Sequence, residues 1–377
     1  MDRIEPTEAL HGHLVDALRL WTYRVPNTRT AVLPPHTQHP NPLVIGDSVV
    51  ASVFSPGAIY SVHKATGELQ WFSPLDTFAG AQVVSTDGRI FAKSSRTLYC
   101  LDTARGTPLW SFSPLPNSRE TIYSCPTYHD DRVFIGDRAG MFHCLDAASG
   151  RLLWANKLST ERNNQVNATA AIQAEIVVVA CNAGVIAAYD ISTGHMVWQQ
   201  SIDGPCITEI LAQGGKVFAP TPNSIYALDA ATGQIAFRKH WPSFDVGAVT
   251  LCRESVVSVL LDRTRRDAER PRAELTAFQG TSDLFHVPAA EFVVGIRFHQ
   301  DSGLIFESRL DGLGIVDPAT GRRLHNIYRD DDLFGCGLVD VHEDRIYAMD
   351  MGGAIYALRS PMADDVAATQ RNSPGRL

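Results

Sequence analysis

Ala188-Tyr189-Asp190-Ile191-Ser192-Thr193-Gly194-His195-Met196-Val197-Trp198 is the stretch whose reading decides the fold. An apolar run leads into an Asp, a Gly follows four residues later, and a Trp stands eight residues beyond the Asp. Asp hydrogen-bonds backbone amides two residues on and so nucleates a turn, while Gly supplies the positive φ that other residues resist. The flanking segments alternate apolar and polar side chains, which is strand periodicity. The stretch is therefore a β-hairpin closed by an Asp-x-x-Thr-Gly turn.

The same pattern recurs along the chain. The Asp position falls at His63, Asp102, Asp146, Asp190, Asp229 and Asp317, with Trp71, Trp110, Trp154, Trp198 and Phe237 eight residues past the first five and His325 past the sixth. Two worn copies complete the series: Leu275–Gln279 lacks the full turn, and Ile355–Arg359 stops where the turn should begin. Successive copies lie 38 to 50 residues apart. A second strand pair precedes each hairpin, as in Pro126–Ile135 and Val339–Ala348. Four antiparallel strands repeated at a period near 40 define a β-propeller blade.

The last copy lacks its Trp strand, and an orphan segment, Leu18–Arg24 with Trp21, precedes the first full repeat. Pairing the two covers edges that would otherwise invite aggregation. The sequence thus predicts an all-β, eight-bladed propeller whose last blade is closed by the N-terminal strand, with seven blades as the fallback. The domain division is an N-terminal arm (1–13), one propeller (14–360) and a C-terminal tail (361–377) without strand alternation.

The repeat resembles that of the pyrroloquinoline-quinone-like propellers, which include quinoprotein alcohol dehydrogenases and the propeller lipoprotein of outer-membrane β-barrel assembly. The resemblance runs from about residue 14 to 360 and implies that the Trp side chains dock between neighbouring blades. It also implies, for the dehydrogenase branch, an adjacent Cys-Cys disulfide over the quinone and in some members a haem-binding C-x-x-C-H. This sequence has neither, so no cofactor is expected.

Composition narrows the function. A net charge of −8 argues against a nucleic-acid or anionic-membrane partner, and no apolar run is long enough for a membrane span. The seven cysteines are spread without C-x-x-C spacing, which suits free thiols in a reducing compartment. The acidic N-terminus carries no signal-like segment, so the expectation is a cytoplasmic monomer, or a periplasmic protein if a leader precedes this sequence.

Chemistry in a propeller gathers where the innermost strands begin around the central channel. Polar residues expected at that mouth are Tyr123, Asn164, Asn167, Glu209, Asp245, Arg297 and Asp340. Together they could bind a small polar ligand. Three other clusters stand out. Arg329–Asp332 offers oxygen ligands without the spacing of a calcium loop, and the pairs His11/His13 and His36/His39 lack a third ligand, so no metal is expected. Residues 262–272 form a charged insertion that reads as a mobile loop, with a lid or partner-docking arm as the sharper alternative. No nucleophile–base pair emerges. Two functions remain open: a ligand-binding or protein-interaction scaffold working through the channel mouth and loop face, and an enzyme performing a non-redox lyase, isomerase or cyclase step in the channel.

Overall fold

The structure, a computed structural model, describes residues 11–26, 28, 42–55, 57–77, 83–86, 88–114, 122, 124–265, 273–289, 293–309, 312–328, 339–350 and 352–362. Eight antiparallel sheets succeed one another along the chain, so the count is eight and the seven-bladed fallback is excluded. Blades 1 to 7 span 43–74, 84–112, 127–157, 171–201, 211–240, 244–288 and 293–328. Blade 8 combines three strands between 340 and 359 with the N-terminal strand Arg19–Arg24. That strand pairs antiparallel with Ala354–Arg359, and Trp21 faces Ala357 across a register shift, just as Trp154 faces Cys144 in blade 3. The N-terminal strand thus occupies the register of the missing fourth strand.

Each Asp-x-x-Thr-Gly turn is built as its residue types require. In blade 4 the Asp190 carboxylate accepts the Thr193 amide at 2.8 Å and the Ser192 and Thr193 hydroxyls at 2.6 and 2.7 Å. The principal amide lies three residues on, one further than the sequence reading placed it. Gly194, at φ 73°, donates its amide to the Asp190 carbonyl at 2.9 Å. The Ser192 and Thr193 hydroxyls hold the exposed Asp190 carboxyl down to a pKa of about 2.

The turns are also where blades lock together. Trp21, Trp71, Trp110, Trp154 and Trp198 lie on Gly67, Gly106, Gly150, Gly194 and Gly233 of the next blade, so closely that a Cβ on any of these glycines would come within 2.2–2.6 Å of the indole. Each indole N–H donates to a carbonyl in the same turn: Lys64, Thr103, Ala147, Ile191 and Ala230, at 2.8–3.1 Å. The cores between blades are continuous with these latches. Trp198, for example, packs in one cluster with Val178, Ala188, Tyr226 and Leu228 of blades 4 and 5.

The segment before Arg19 differs from the expected arm. His11–Leu14 adds a parallel fifth strand to blade 7, against His325–Tyr328. One turn of helix, α1 (Val15–Leu18), then carries the chain across to blade 8. Val15 and Leu18 are buried among Phe306, Leu313 and Ile315 of blade 7 and Tyr356 and Leu358 of blade 8. This strap spans the 7/8 junction, where His325 replaces Trp and the chain ends replace the turn. No helix among the described residues is long and apolar enough to cross a membrane.

Candidate functional site

Strand direction sorts the loops onto two faces. The innermost strands begin on one face, together with the turns joining second to third strands; the Asp-x-x-Thr-Gly turns lie on the other. The first face carries the channel mouth. There the inner strands are tied to their neighbours. Cys125 donates its amide to Thr169 Oγ1 at 3.1 Å, Thr127 Oγ1 to the Ala170 carbonyl at 2.9 Å, and Ile210 N–H to the Thr169 carbonyl at 2.9 Å. Farther round, Phe298 N–H reaches Thr250 Oγ1 at 3.1 Å and Val44 N–H reaches the Asp340 carboxylate at 2.8 Å. Threonines stitch most of these contacts because a β-branched hydroxyl keeps strand geometry and still offers a hydrogen bond.

Of the residues expected at the mouth, Tyr123 lies outside the described residues. Asn164 donates to the Ser159 carbonyl at 2.9 Å and packs over Gly140, holding its own loop. Asn167 contacts Asn182 at 3.4 Å, and its side-chain oxygen is buried with no hydrogen-bond partner among the described residues. Asp245 pairs with Arg263 at 2.6 Å. Asp340 serves the Val44 amide across the 8/1 junction. Glu209 and Arg297 feel each other electrostatically. Crowding by the channel wall pushes the Glu209 carboxyl up to about 7, while the Arg297 charge pulls the other way. Thus the six described residues do not all converge on one point. The backbone of Glu209 forms a β-bridge with Thr169 between blades 4 and 5, the neighbouring Thr208 hydroxyl is buried without a hydrogen-bond partner among the described residues, and the charge of Arg297 in blade 7 acts on Glu209.

Two features escaped the sequence reading. Arg263 is the partner of Asp245, although in the sequence it is one of several arginines in the charged insertion 262–272. With Ile207, Thr208, Pro220, Thr221, Pro222 and Val246 this pair lines a cavity of about 210 Å³. Lys93 is buried, donates to the Ile122 carbonyl at 3.2 Å, and has its pKa lowered by that burial. Nothing in a strand ending Phe91-Ala92-Lys93 distinguishes it from an exposed lysine.

Among the described residues no group of three or more His, Cys, Asp or Glu could hold a metal ion. Arg329–Asp332, His36, His39 and residues 266–272 of the insertion lie outside the described residues, as do the side chains of His11 and His13. Cys100, Cys125, Cys144, Cys181, Cys206 and Cys252 are free and buried in separate strands and turns. They cannot form the adjacent-cysteine cap that a quinone site would imply, so the residues present do not fit that group.

The fold, the latched turns and the repeat define a propeller of the pyrroloquinoline-quinone-like class. A family model described as the outer membrane protein assembly factor BamB matches residues 15–113, 55–220 and 138–277, and the chain belongs to this family. BamB from Moraxella catarrhalis is similar in structure at 16% identity, over 86% of this chain and 85% of that one, with a TM-score of 0.52. The computationally designed protein Ika8 is similar at 17% identity, over 88% and 100%, with a TM-score of 0.69. The quinohemoprotein alcohol dehydrogenase from Comamonas testosteroni is similar at 12% identity, over 90% and 76%, with a TM-score of 0.68. No curated protein matches the sequence.

Proposed function

We propose that this protein is a protein-interaction scaffold that presents its channel-mouth face to a partner and works as a monomer in a reducing compartment, most simply the cytoplasm. The supporting observation is the fate of the polar residues at the mouth. Asn164, Asp245 and Asp340 are engaged in local or inter-blade contacts, which makes a rigid, pre-organised surface rather than a convergent catalytic cluster. The matched family is named for an assembly factor, and the free buried thiols suit a reducing compartment. The test is a photo-crosslinking amino acid placed at Asn167, Glu209 or Asp245, with Ala65 and Ala231 on the opposite face as controls. Adducts with one protein from the mouth positions alone support the scaffold. Equal labelling from both faces, or none from the mouth, overturns it.

Glu209 supports a second reading, in which the channel takes a small polar molecule for binding or for a non-redox step. A carboxyl titrating near 7 beside an Arg is suited to exchange a proton at neutral pH. The sign is fixed by the raised value. Ionising Glu209 costs stability as pH rises from its ordinary 4.5 toward about 7. Glu209→Gln should therefore gain in Tm relative to the parent across that window and be level with it below. A carboxyl resonance titrating near 4.5 in a ¹³C-labelled sample would sink this reading and leave the scaffold standing.

A further inference from the structure

On the face opposite the channel mouth, the blade junctions follow one rule and break it once. Five are plugged by a Trp on a Gly, at 8/1, 1/2, 2/3, 3/4 and 4/5. At 6/7 the smaller Phe285 does the same work, since a Cβ on Gly321 would meet its ring at 2.6 Å. At 7/8 the strap buries Val15 and Leu18. At 5/6 both halves of the latch are altered together. Phe237 stands at the Trp position, and the five-residue turn has shrunk to Gln279-Gly280-Thr281.

The outcome is an open slot. The shortened turn has no glycine at the latch position; Gly280, one residue past the Asp position, has open space above it, a Cβ there meeting nothing within 4 Å, and Phe237 turns edge-on to Phe278, with centroids 6.3 Å apart. The 6/7 junction shows that Phe alone can close a latch, so the shortened turn is what leaves this one open. The slot encloses about 460 Å³ between the first turns of blades 5 and 6, within the range of sites that take one organic group. Its walls include Phe218, Phe237, Leu251 and Val256; Lys216 stands on one lip and Glu254 on the other. Glu254 is held by Gln279 at 2.7 Å; Lys216 is exposed, opposite Asp229 in the strand pair, and its charge acts on the Asp229 carboxylate.

We propose that this slot binds a tryptophan side chain of a partner's extended segment, completing from outside the latch that the chain completes itself elsewhere. The slot continues the series of blade interfaces in which an indole already fits, and the Gly280 carbonyl is the sequence counterpart of the five carbonyls that accept indole N–H bonds. Charge selects the flanking residue. Lys216 favours a segment with an acidic residue beside its Trp, and Glu254 disfavours a second acid on the far side. The site is distinct from the channel mouth and stands whether or not the mouth carries a partner.

The probe is acetyl-Asp-(5-fluoro-Trp)-Gly-amide, titrated against the full chain and followed by ¹⁹F NMR. A saturable shift is expected, absent when Leu replaces the aromatic residue. Phe237→Trp fills the slot from within and should weaken binding by about tenfold or more. Five other fourth strands carry Trp at this position, so the variant keeps the strand pattern. Lys216→Glu, on the exposed lip, should weaken binding by about threefold, the scale of one exposed ion pair. No saturable shift at millimolar probe, equal binding of the Leu peptide, or full affinity in Phe237→Trp each overturns the proposal.

Discussion

At the scale of single residues, the latch depends on a pair in which each member requires the other. Gly233 sits at φ 73°, where side chains are strained, and beneath a Trp198 ring that a Cβ would approach at 2.5 Å. Gly233→Ala therefore carries both backbone strain, about 1–3 kcal/mol, and a steric clash. Gly280→Ala carries the strain alone, because the space above it is open. Denaturant melts of the two variants should differ, with Gly233→Ala the more destabilised; equal losses would mean that the indole contact is soft. Trp198→Ala removes a side chain only 8% exposed and should cost about 3–5 kcal/mol. The Asp at the head of the turn adds a pH dependence. Asp190 is held near 2 against an ordinary 3.8, so its stabilisation is complete above about pH 4 and fades as pH falls toward 2. The Tm gap between the parent and Asp190→Ala should be constant near neutrality and close across that acid window. A gap that persists at pH 2 would show that the turn does not depend on the ionised carboxylate.

At the scale of elements, regular blades were legible because their turn chemistry and strand alternation repeat. Even the composite blade could be read, since Trp21 carries the mark of the strand it replaces. The strap could not. A four-residue helix and a short parallel strand have no periodicity to detect, and residues 11–13 read as an arm outside the domain. Their placement goes with a break in the pattern: His325 stands at the Trp position of blade 7, and Val15 and Leu18 are buried in the core shared by blades 7 and 8. The contacts made by the residues expected at the mouth were not legible. Which partner each finds depends on residues distant in sequence, such as Arg263 of the same blade for Asp245 and Val44 of the next blade for Asp340. The strap's role has a direct test. Leu18→Ala truncates a side chain 4% exposed and should cost about 2–5 kcal/mol. Faster amide exchange should follow in Gly312–Val316 and Ala354–Arg359 while blades 2 to 4 keep their protection. Uniform acceleration around the ring would instead show that the propeller opens as one unit.

At the scale of the whole molecule, closure joins the chain's two ends in one sheet, and the geometry allows that joint to be moved. Arg19 pairs with Leu358 as Leu152 pairs with Leu145, where the chain runs continuously through a turn. A permuted chain that starts at Val25, ends at Leu358 and then continues through Asp-Ala-Ala-Thr-Gly-Gln into Arg19–Arg24 would supply the fourth strand of blade 8 through an ordinary turn. It lacks α1 and the strand His11–Leu14, as does a simple deletion of everything before Val25. With that deletion also ended at Arg359, the two proteins differ only in the turn and the closing strand it leads into. The deletion leaves Ala354–Arg359 as an unpaired apolar edge, five of whose six residues are buried in the intact ring, and such an edge pairs with other chains. Light scattering should find the deletion associated and the permuted chain monomeric. The permuted chain should melt below the parent by an amount that measures the strap. If it associates as the deletion does, closure depends on the strap's grip on blade 7 rather than on strand pairing in blade 8.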